Sequence, residues 1–194
     1  MKRRDALLLG AASPWLLAAA SASTPPRRLP PYVLTTPTLV GHMLRIANVR
    51  PGDIVYDLGC GDGRIVIEAA KRFGCEGYGV DINPQAVAVA RENAKAAGVD
   101  KLVTFTHGDL FDLDISRASV VMLYLFAEMN LRVKPKLFRE LAEGARVVSH
   151  DFDMGKVWPP DKQYDFGTDA IYLWTLPPRA ERTLQQRGEE AGKA

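Results

Sequence analysis

Residues Val55 to Arg64 read Val-Tyr-Asp-Leu-Gly-Cys-Gly-Asp-Gly-Arg, an apolar run that passes into a glycine-rich turn before an amphipathic helix. Glycine lacks a Cβ atom, so such a turn can adopt positive φ and let a ligand lie against the backbone. The free N–H groups at the start of the following helix would face the polar end of that ligand. The pattern therefore predicts a strand, a turn and a helix that form a nucleotide-sized pocket.

The third glycine position of the turn separates two cofactor classes. A dinucleotide-binding turn has the pattern Gly-x-Gly-x-x-Gly/Ala, and Arg64 stands at its last small position here. Asp81 ends the next apolar run, where a carboxylate can accept hydrogen bonds from ribose hydroxyls, and this acid alone fits either class. A further β-rich run, Val103-Thr-Phe-Thr-His-Gly-Asp-Leu110, carries Asp109 at its end, where it can meet an adenine amino group. Together these features disfavour a nicotinamide-dependent oxidoreductase, which we keep as an alternative to the interpretations given below.

The three segments resemble those of class I S-adenosylmethionine-dependent methyltransferases, over residues 51–176. The resemblance implies S-adenosyl-L-methionine as the cofactor and an α/β fold with a Rossmann-like, doubly wound, mostly parallel sheet. It implies that Asp57 and the glycine turn hold the methionine part, Asp81 the ribose, and Asp109 with Leu110 the adenine. The alternatives are that Asp81 caps a helix and that Asp109 only forms a turn. The candidate cofactor-binding residues are Thr36, Asp57, Gly59, Cys60, Gly61, Gly63, Asp81, Ile82, Asp109 and Leu110.

A closer resemblance lies outside the cofactor half. Three segments are similar to those of the protein-lysine methyltransferases related to the mitochondrial ATP-synthase c-subunit enzyme and to archaeal broad-specificity enzymes: Tyr32-Val-Leu-Thr-Thr-Pro37, Leu123-Tyr-Leu-Phe-Ala-Glu-Met-Asn-Leu-Arg-Val-Lys-Pro135 and Ser149-His-Asp-Phe-Asp153. The resemblance implies transfer of a methyl group to a lysine side-chain nitrogen of a protein substrate. The alternatives are a small-molecule methyltransferase and a non-catalytic, exported module that binds a nucleoside ligand.

The candidate catalytic residues are Tyr124, Glu128, Asn130 and His150. Tyr124 ends the fourth predicted strand, where its ring can form a wall of the acceptor channel and its hydroxyl can hydrogen-bond. Glu128 and Asn130 could hold an incoming ammonium, or could instead cap the next helix. Methyl transfer is an in-line displacement that mainly needs alignment and a dry pocket. An unperturbed lysine has a pKa of about 10.4, and we expect its burial away from carboxylates to help it lose its proton.

The remaining pattern alternates strands and helices, which predicts a parallel sheet with helices on both faces. The predicted helices are 37–47, 62–72, 84–97 and 131–143, and the predicted strands are 53–58, 77–80, 103–107, 119–125, 146–149 and 171–176. Residues 151–168 are expected to be irregular. Trp158 within them is expected on the surface, as part of a lid, a peptide-docking site or a packing staple.

The N-terminus has the features of an export signal. A basic start (Met1-Lys-Arg-Arg4) precedes an uncharged stretch and the small-residue sequence Ala20-Ser-Ala22. The pair Arg3-Arg4 resembles a bacterial twin-arginine signal. We therefore predict a signal peptide or N-terminal anchor at 1–22, a linker at 23–31, the methyltransferase domain at 32–176 and a mobile charged tail at 177–194. The predicted location is exported or associated with the inner membrane through the N-terminus, with the cytoplasm as the alternative because S-adenosylmethionine is made there.

Charge and cysteine usage restrict the partners. The 194 residues contain 25 Lys and Arg against 23 Asp and Glu, and removal of residues 1–22 takes away three basic side chains and one acid, which leaves the remainder formally neutral. Nucleic acid binding requires a clustered basic excess, so no nucleic acid partner is predicted. The two cysteines, Cys60 and Cys75, have no CxxC spacing and no neighbouring histidine cluster, so neither a disulfide scaffold nor a metal site is predicted. Cys60 is interpreted as a small turn residue that lines the pocket.

Overall fold

The computed structural model describes residues 35–184. The predicted signal or anchor, the linker and the last ten residues of the predicted tail lie outside the described residues. The helices are α1 (Pro37–Ile46), α2 (Arg64–Phe73), α3 (Pro84–Ala96) and α4 (Ala127–Glu140). The strands are β1 (Ile54–Leu58), β2 (Glu76–Asp81), β3 (Val103–His107), β4 (Val120–Leu123), β5 (Arg146–His150), β6 (Lys162–Phe166) and β7 (Asp169–Thr175). Within residues 35–184, no helix combines the length and the apolar character needed to cross a bilayer.

The seven strands form one sheet in the order β3-β2-β1-β4-β5-β7-β6. The first five strands in this order are parallel, whereas β7 runs antiparallel to β5, and β6 antiparallel to β7. The strand order reverses between β1 and β4, and ligands of open α/β sheets bind at the carboxyl ends of the strands at such a point. The predicted doubly wound, mostly parallel sheet is confirmed.

Both faces of the sheet are buried, so neighbouring residues of the central strands face opposite cores. Val120 and Met122 of β4 join the core formed with α1, α2 and α3, while Val121 and Leu123 join the core under α4. This alternation at a period of two, with apolar residues on both faces, is typical of parallel strands covered by helices on each side. The two cores fix the strand ends that form the crevice.

Helix α4 begins and ends earlier than predicted. It begins at Ala127 rather than 131 and ends at Glu140 rather than 143. The carbonyl oxygen of Phe126 accepts hydrogen bonds from the N–H groups of Met129 and Asn130, at 2.8 and 3.0 Å, so the first turn begins after only three residues, 124–126, that follow β4. Glu128 and Asn130 therefore belong to this first turn.

The segment after β5 is more ordered than predicted. It contains β6, which forms a hairpin with β7 across a turn in which Gly167 has a φ of 71°. The expectation that Trp158 lies on the surface is wrong, because its side chain is 5% exposed and packs between Phe138 and Trp174, at ring-centroid distances of 4.7 and 5.6 Å. Each ring removes a large apolar area from water, and this burial stabilises Trp158 in the interior.

Part of the predicted mobile tail is also helical. Residues 179–184 form helix, and the guanidinium of Arg182 is buried. It donates hydrogen bonds to the carbonyl oxygens of Phe138 and Leu141, at 2.9 and 2.8 Å, and so satisfies acceptors at the C-terminal end of α4.

Candidate functional site

The carboxyl ends of β1, β2 and β3 bring the predicted acids to one edge of the sheet. Asp57 is the penultimate residue of β1, Asp81 is the last residue of β2, and Asp109 follows β3. The backbone N–H groups of Gly59 and Cys60 both donate to the carbonyl of Val80, at 2.9 and 3.0 Å. These two hydrogen bonds hold the glycine turn against the end of β2.

The turn needs its glycines for two physical reasons. Gly59, Gly61 and Gly63 have φ angles of 89°, 53° and 78°, in the left-handed region that disfavours other residues. A Cβ atom on Gly63 would lie 2.5 Å from Cζ of Phe105, so α2 could not begin this close to β3. On Gly59, a Cβ atom would lie 3.0 Å from Cδ2 of Leu125, in the crevice itself. The backbone is therefore open to a ligand at positions where side chains would otherwise fill the space.

Asp81 organises the turn and the start of α3. Its Oδ2 accepts a hydrogen bond from the N–H of Gly61 at 2.9 Å, and its Oδ1 accepts one from the N–H of Asn83 at 2.8 Å. The cap of α3 is Asn83, whose side chain accepts from the N–H of Gln85, and not Asp81. The half-buried carboxylate retains lone pairs for ribose hydroxyls, and the 51% exposed side chain of Ile82 offers an apolar surface beside it.

Asp57 and Cys60 lie deeper in the crevice. Burial, reinforced by the charges of Asp81 and Asp62, raises the pKa of the Asp57 carboxyl to about 8. Burial also raises the pKa of the Cys60 thiol, with the carboxylates of Asp57 and Asp81 adding to the effect, so this thiol is not a thiolate nucleophile. S-adenosylmethionine carries a sulfonium and an ammonium, and positive charge placed beside Asp57 would favour the ionised form of its carboxyl.

Asp109 is exposed after β3, next to the half-buried Leu110. Its Oδ1 accepts a hydrogen bond from the N–H of Phe111 at 3.0 Å, which is the side-chain turn weighed as the alternative for this residue. The geometry therefore places Asp109 at the expected strand end, and its contact with adenine stays a prediction.

Tyr124 lies on the opposite side of the crevice, after β4. Its ring contacts His150 with a centroid distance of 3.9 Å, and its hydroxyl is 3.5 Å from Oδ2 of Asp151. Phe152 lies 6.5 Å from the same ring and 5.4 Å from that of Phe126, which is 47% exposed. We call Tyr124, Phe126, Asp151, Phe152 and Asp169 the acceptor rim.

His150 is buried beneath this rim. Its Nδ1 is 3.3 Å from the hydroxyl of Thr35, and its Nε2 is 3.2 Å from Oδ1 of Asp169 and 3.4 Å from Oδ2 of Asp151. One ring nitrogen and two carboxylates thus lie within 4.8 Å of one another, a set that could also hold a metal ion. The expectation of an acceptor channel away from carboxylates does not match this arrangement, because β7 brings Asp169 alongside β5.

The remaining predicted residues have different surroundings. Asn130 is fully buried, and its amide donates to Oγ of Ser149 at 3.1 Å and to the carbonyl of Phe152 at 2.8 Å, so it holds the loop after β5. Glu128 is exposed in the first turn of α4. Thr36 caps α1, where its hydroxyl accepts from the N–H of Leu39.

Sequence reasoning missed Thr35 and Asp169, which contact His150. Thr35 also accepts, through its carbonyl oxygen, a hydrogen bond of 2.7 Å from Arg64. Arg64 therefore joins the glycine turn to the segment before α1, which explains why a large residue follows the third glycine. The Tyr32–Pro37 segment was the available signal for Thr35, but nothing local marked Asp169.

Known proteins share this sequence pattern. Residues 57–162 match the family model of the ANTKMT methyltransferase domain. The chain is 47% identical over 131 residues to a protein-lysine N-methyltransferase of Saccharolobus islandicus, with 67% of this chain and 81% of that protein covered. It is 36% identical over 146 residues to an ATP-synthase c-subunit lysine N-methyltransferase of Xenopus laevis, with 75% of this chain covered. It spans 63% of that vertebrate protein's length.

A solved structure is also similar. It is described as an RNA methyltransferase from Salinibacter ruber in complex with S-adenosyl-L-homocysteine, and it superposes with a TM-score of 0.74 at 51% sequence identity. The superposition covers 75% of this chain and 95% of that chain.

Proposed function

The chain belongs to the ANTKMT methyltransferase family, and we propose from this that it transfers its methyl group to the side-chain nitrogen of a lysine in a protein. The predictions of a methyltransferase and of S-adenosylmethionine as its cofactor are confirmed by this membership and by the similar structure with bound S-adenosylhomocysteine. The names of the relatives support the lysine acceptor, and so does the chemistry of this chain's own site.

The acceptor rim is the observation that carries the proposal. It combines the aromatic rings of Tyr124 and Phe152 with the carboxylates of Asp151 and Asp169. Aromatic faces and carboxylates both attract a cation such as a lysine ammonium. The same carboxylates repel the phosphates of a nucleic acid, whose binding depends on basic side chains.

One side of the crevice binds the cofactor, and the other side positions the methyl acceptor. When bound, the cofactor supplies an electrophilic methyl group. Gly59 leaves the backbone of the turn without a Cβ atom on this side, and Asp81, which accepts a hydrogen bond from the N–H of Gly61, would hold the ribose through its remaining lone pairs. The ring of Tyr124 packs on His150 and lines the opposite side of the crevice. In this position it excludes water and aligns the incoming nitrogen.

RNA is the second candidate acceptor, because the solved structure at 51% identity is described as an RNA methyltransferase. The two acceptors can be separated by incubating the full-length protein and radiolabelled S-adenosylmethionine with an extract of the source cell. Samples are then divided and treated with protease or with ribonuclease. We expect protease treatment to remove the label from the macromolecular fraction and ribonuclease treatment to leave it there. Loss with ribonuclease would replace the proposal by an RNA acceptor, and label confined to small molecules would replace it by a small-molecule acceptor.

We also propose that residues 1–22 direct the protein to the membrane or across it. The support is their sequence: the basic start, the uncharged stretch and Ala20-Ser-Ala22. Fractionation of cells that express the full chain tests this, with Arg3→Lys and Arg4→Lys together as the variant. We expect the wild-type protein in the membrane or exported fraction and the variant in the cytoplasm. Wild-type protein in the cytoplasm would contradict the signal.

A further inference from the structure

Asp151 has an uncommon backbone conformation that orients its carboxylate toward Tyr124 and His150. Its φ is 60°, and Asn48 is the other non-glycine residue with positive φ within residues 35–184. The N–H of Asp151 donates to the carbonyl of Ala170 at 2.7 Å, and its Oδ1 accepts from the N–H of Ala170 at 2.9 Å. One carboxylate oxygen is therefore fixed to β7, which leaves Oδ2 pointing to Tyr124 and His150.

Oδ2 of Asp151 retains capacity for a further donor. Its distances to the Tyr124 hydroxyl and to Nε2 of His150 are 3.5 and 3.4 Å, both long for a hydrogen bond. Within residues 35–184, His150 is the ion-pair partner of Asp151 and Asp169, and no lysine or arginine pairs with either. A pair of carboxylates without a compensating fixed cation favours a cation from outside.

A route to solvent lies beside this oxygen. His150 is 3% exposed at its side chain, and its Nε2 is 3.2 Å from Oδ1 of Asp169. The Asp169 side chain is 43% exposed, so it connects the buried imidazole with water. Thr35 holds the other ring nitrogen from the far side.

We propose that Asp151 binds the ε-ammonium of the acceptor lysine, and that His150 and Asp169 pass its proton to solvent. This inference rests on the proposed function. The ammonium gives one proton to the Asp151–His150 pair, and Asp169 transfers it to water. The lone pair of the neutral amine then forms the bond to the methyl carbon, while the electrons of the broken carbon–sulfur bond remain on sulfur. The methylated nitrogen carries the positive charge.

Other ionisable groups face the same region and set its charge. Tyr124 comes from the end of β4 and Tyr172 from β7, and the pKa of each phenol is raised by burial and by neighbouring carboxylates. Asp153 and Asp165 act on Tyr172, from the loop after β5 and from β6. Both phenols are therefore neutral at pH 7, and the negative charge of this region comes from its carboxylates, which attract an ammonium.

Asp151→Asn provides the test, because asparagine also tolerates positive φ and its side-chain oxygen can still accept from Ala170. Asp100→Asn, an exposed acid between α3 and β3 at the opposite end of the strands, is the charge-matched control. The full-length wild-type protein and both variants are incubated with S-adenosylmethionine and a protein extract of the source cell, at pH 7 and near pH 10. The initial rate of methyl-lysine formation is measured for each. Calorimetry measures S-adenosylhomocysteine affinity at both pH values.

We expect Asp151→Asn to be about 100-fold slower at pH 7 with unchanged S-adenosylhomocysteine affinity. Near pH 10 the deficit should fall below about tenfold, because a lysine with a pKa of about 10.4 is already unprotonated in a substantial part of the population. An equal deficit at both pH values would indicate a structural role and overturn the inference, as would a wild-type rate at pH 7. Loss of wild-type activity with a chelator, restored by Mn²⁺, would also overturn it, by assigning the three groups to a metal. If the wild-type protein makes no methyl-lysine, the proposed function fails and this inference with it.

Discussion

The ring of Tyr124 lies on the imidazole of His150, with centroids 3.9 Å apart and planes inclined by 32°. This contact joins the end of β4 to the end of β5 at the acceptor side of the crevice. His150 is itself held by Thr35 and Asp169, so the position of the Tyr124 ring depends on groups from three distant parts of the chain. The ring is therefore a fixed wall.

Removal of the Tyr124 ring should affect turnover more than cofactor binding. We expect Tyr124→Ala to lower kcat/KM about 100-fold or more, because the acceptor nitrogen loses its alignment. Tyr124→Phe keeps the ring and should cost less than about tenfold. Calorimetry should show similar S-adenosylhomocysteine affinity for all three proteins. An equal loss in both variants would mean that the hydroxyl, not the ring, is what matters.

Asp81→Asn should weaken cofactor binding. The amide offers one acceptor oxygen, whereas the carboxylate accepts from both Gly61 and Asn83 and has lone pairs left for ribose. We expect S-adenosylhomocysteine to bind about 10- to 100-fold more weakly by calorimetry. The control is Asp100→Asn, an exposed acid between α3 and β3, at the opposite end of the strands. Equal affinity of Asp81→Asn and the control would contradict the ribose assignment.

Gly63→Ala should destabilise the fold more than Gly98→Ala. Both glycines have positive φ, 78° and 69°, so both substitutions carry a backbone cost of about 1–2 kcal/mol. A Cβ atom on Gly63 would also lie 2.5 Å from Phe105 and 3.0 Å from Ala90, whereas on Gly98 it would meet open space. We expect an additional loss of about 1–3 kcal/mol in the free energy of unfolding for Gly63→Ala, measured by urea denaturation. A difference near zero would show that Phe105 moves aside without cost.

The buried Asp57 should make the stability of the cofactor-free protein fall with rising pH. The pKa of its carboxyl is about 8 in the folded protein, against an ordinary value of 3.8 for an aspartate in water. Between these values the folded protein holds a proton that the unfolded chain has lost, so the free energy of unfolding decreases as pH rises, by up to about 1.4 kcal/mol per pH unit. Asp57→Asn cannot ionise and should remove this slope. Urea denaturation at pH 5, 7 and 9 measures it, and parallel losses in both proteins would place the cause elsewhere.

The cofactor side of the crevice was predictable because its signals are local. Asp57, the glycines and Asp81 stand at fixed positions relative to the strands that carry them, and parallel strands bring their carboxyl ends together without further information. The acceptor side was not predictable in the same way. Thr35 contacts His150 across 115 positions of sequence. Asp169 reaches it through the pairing of β7 with β5, a pairing that no motif marks.

The boundaries that differed have similar explanations. The apolar run after β4 continues into Phe126, so the sequence pattern could not separate the end of the strand from the first turn of α4. β6 is an edge strand whose side chains are mostly exposed, so it lacks the apolar alternation that marks the central strands. Trp158 was misplaced because it lies in a segment that was expected to be irregular, whereas Trp174 and Phe138 complete a core around it.

The most direct test of a protein-lysine methyltransferase is amino acid analysis of the labelled product. Full-length protein and the variant Asp81→Ala are each incubated with radiolabelled S-adenosylmethionine and a protein extract of the source cell, and the labelled bands are hydrolysed. We predict that the label from the wild-type reaction is recovered as methyl-lysine and that the variant gives little or none. Label recovered in another methylated residue or in a methylated nucleoside would contradict the lysine acceptor.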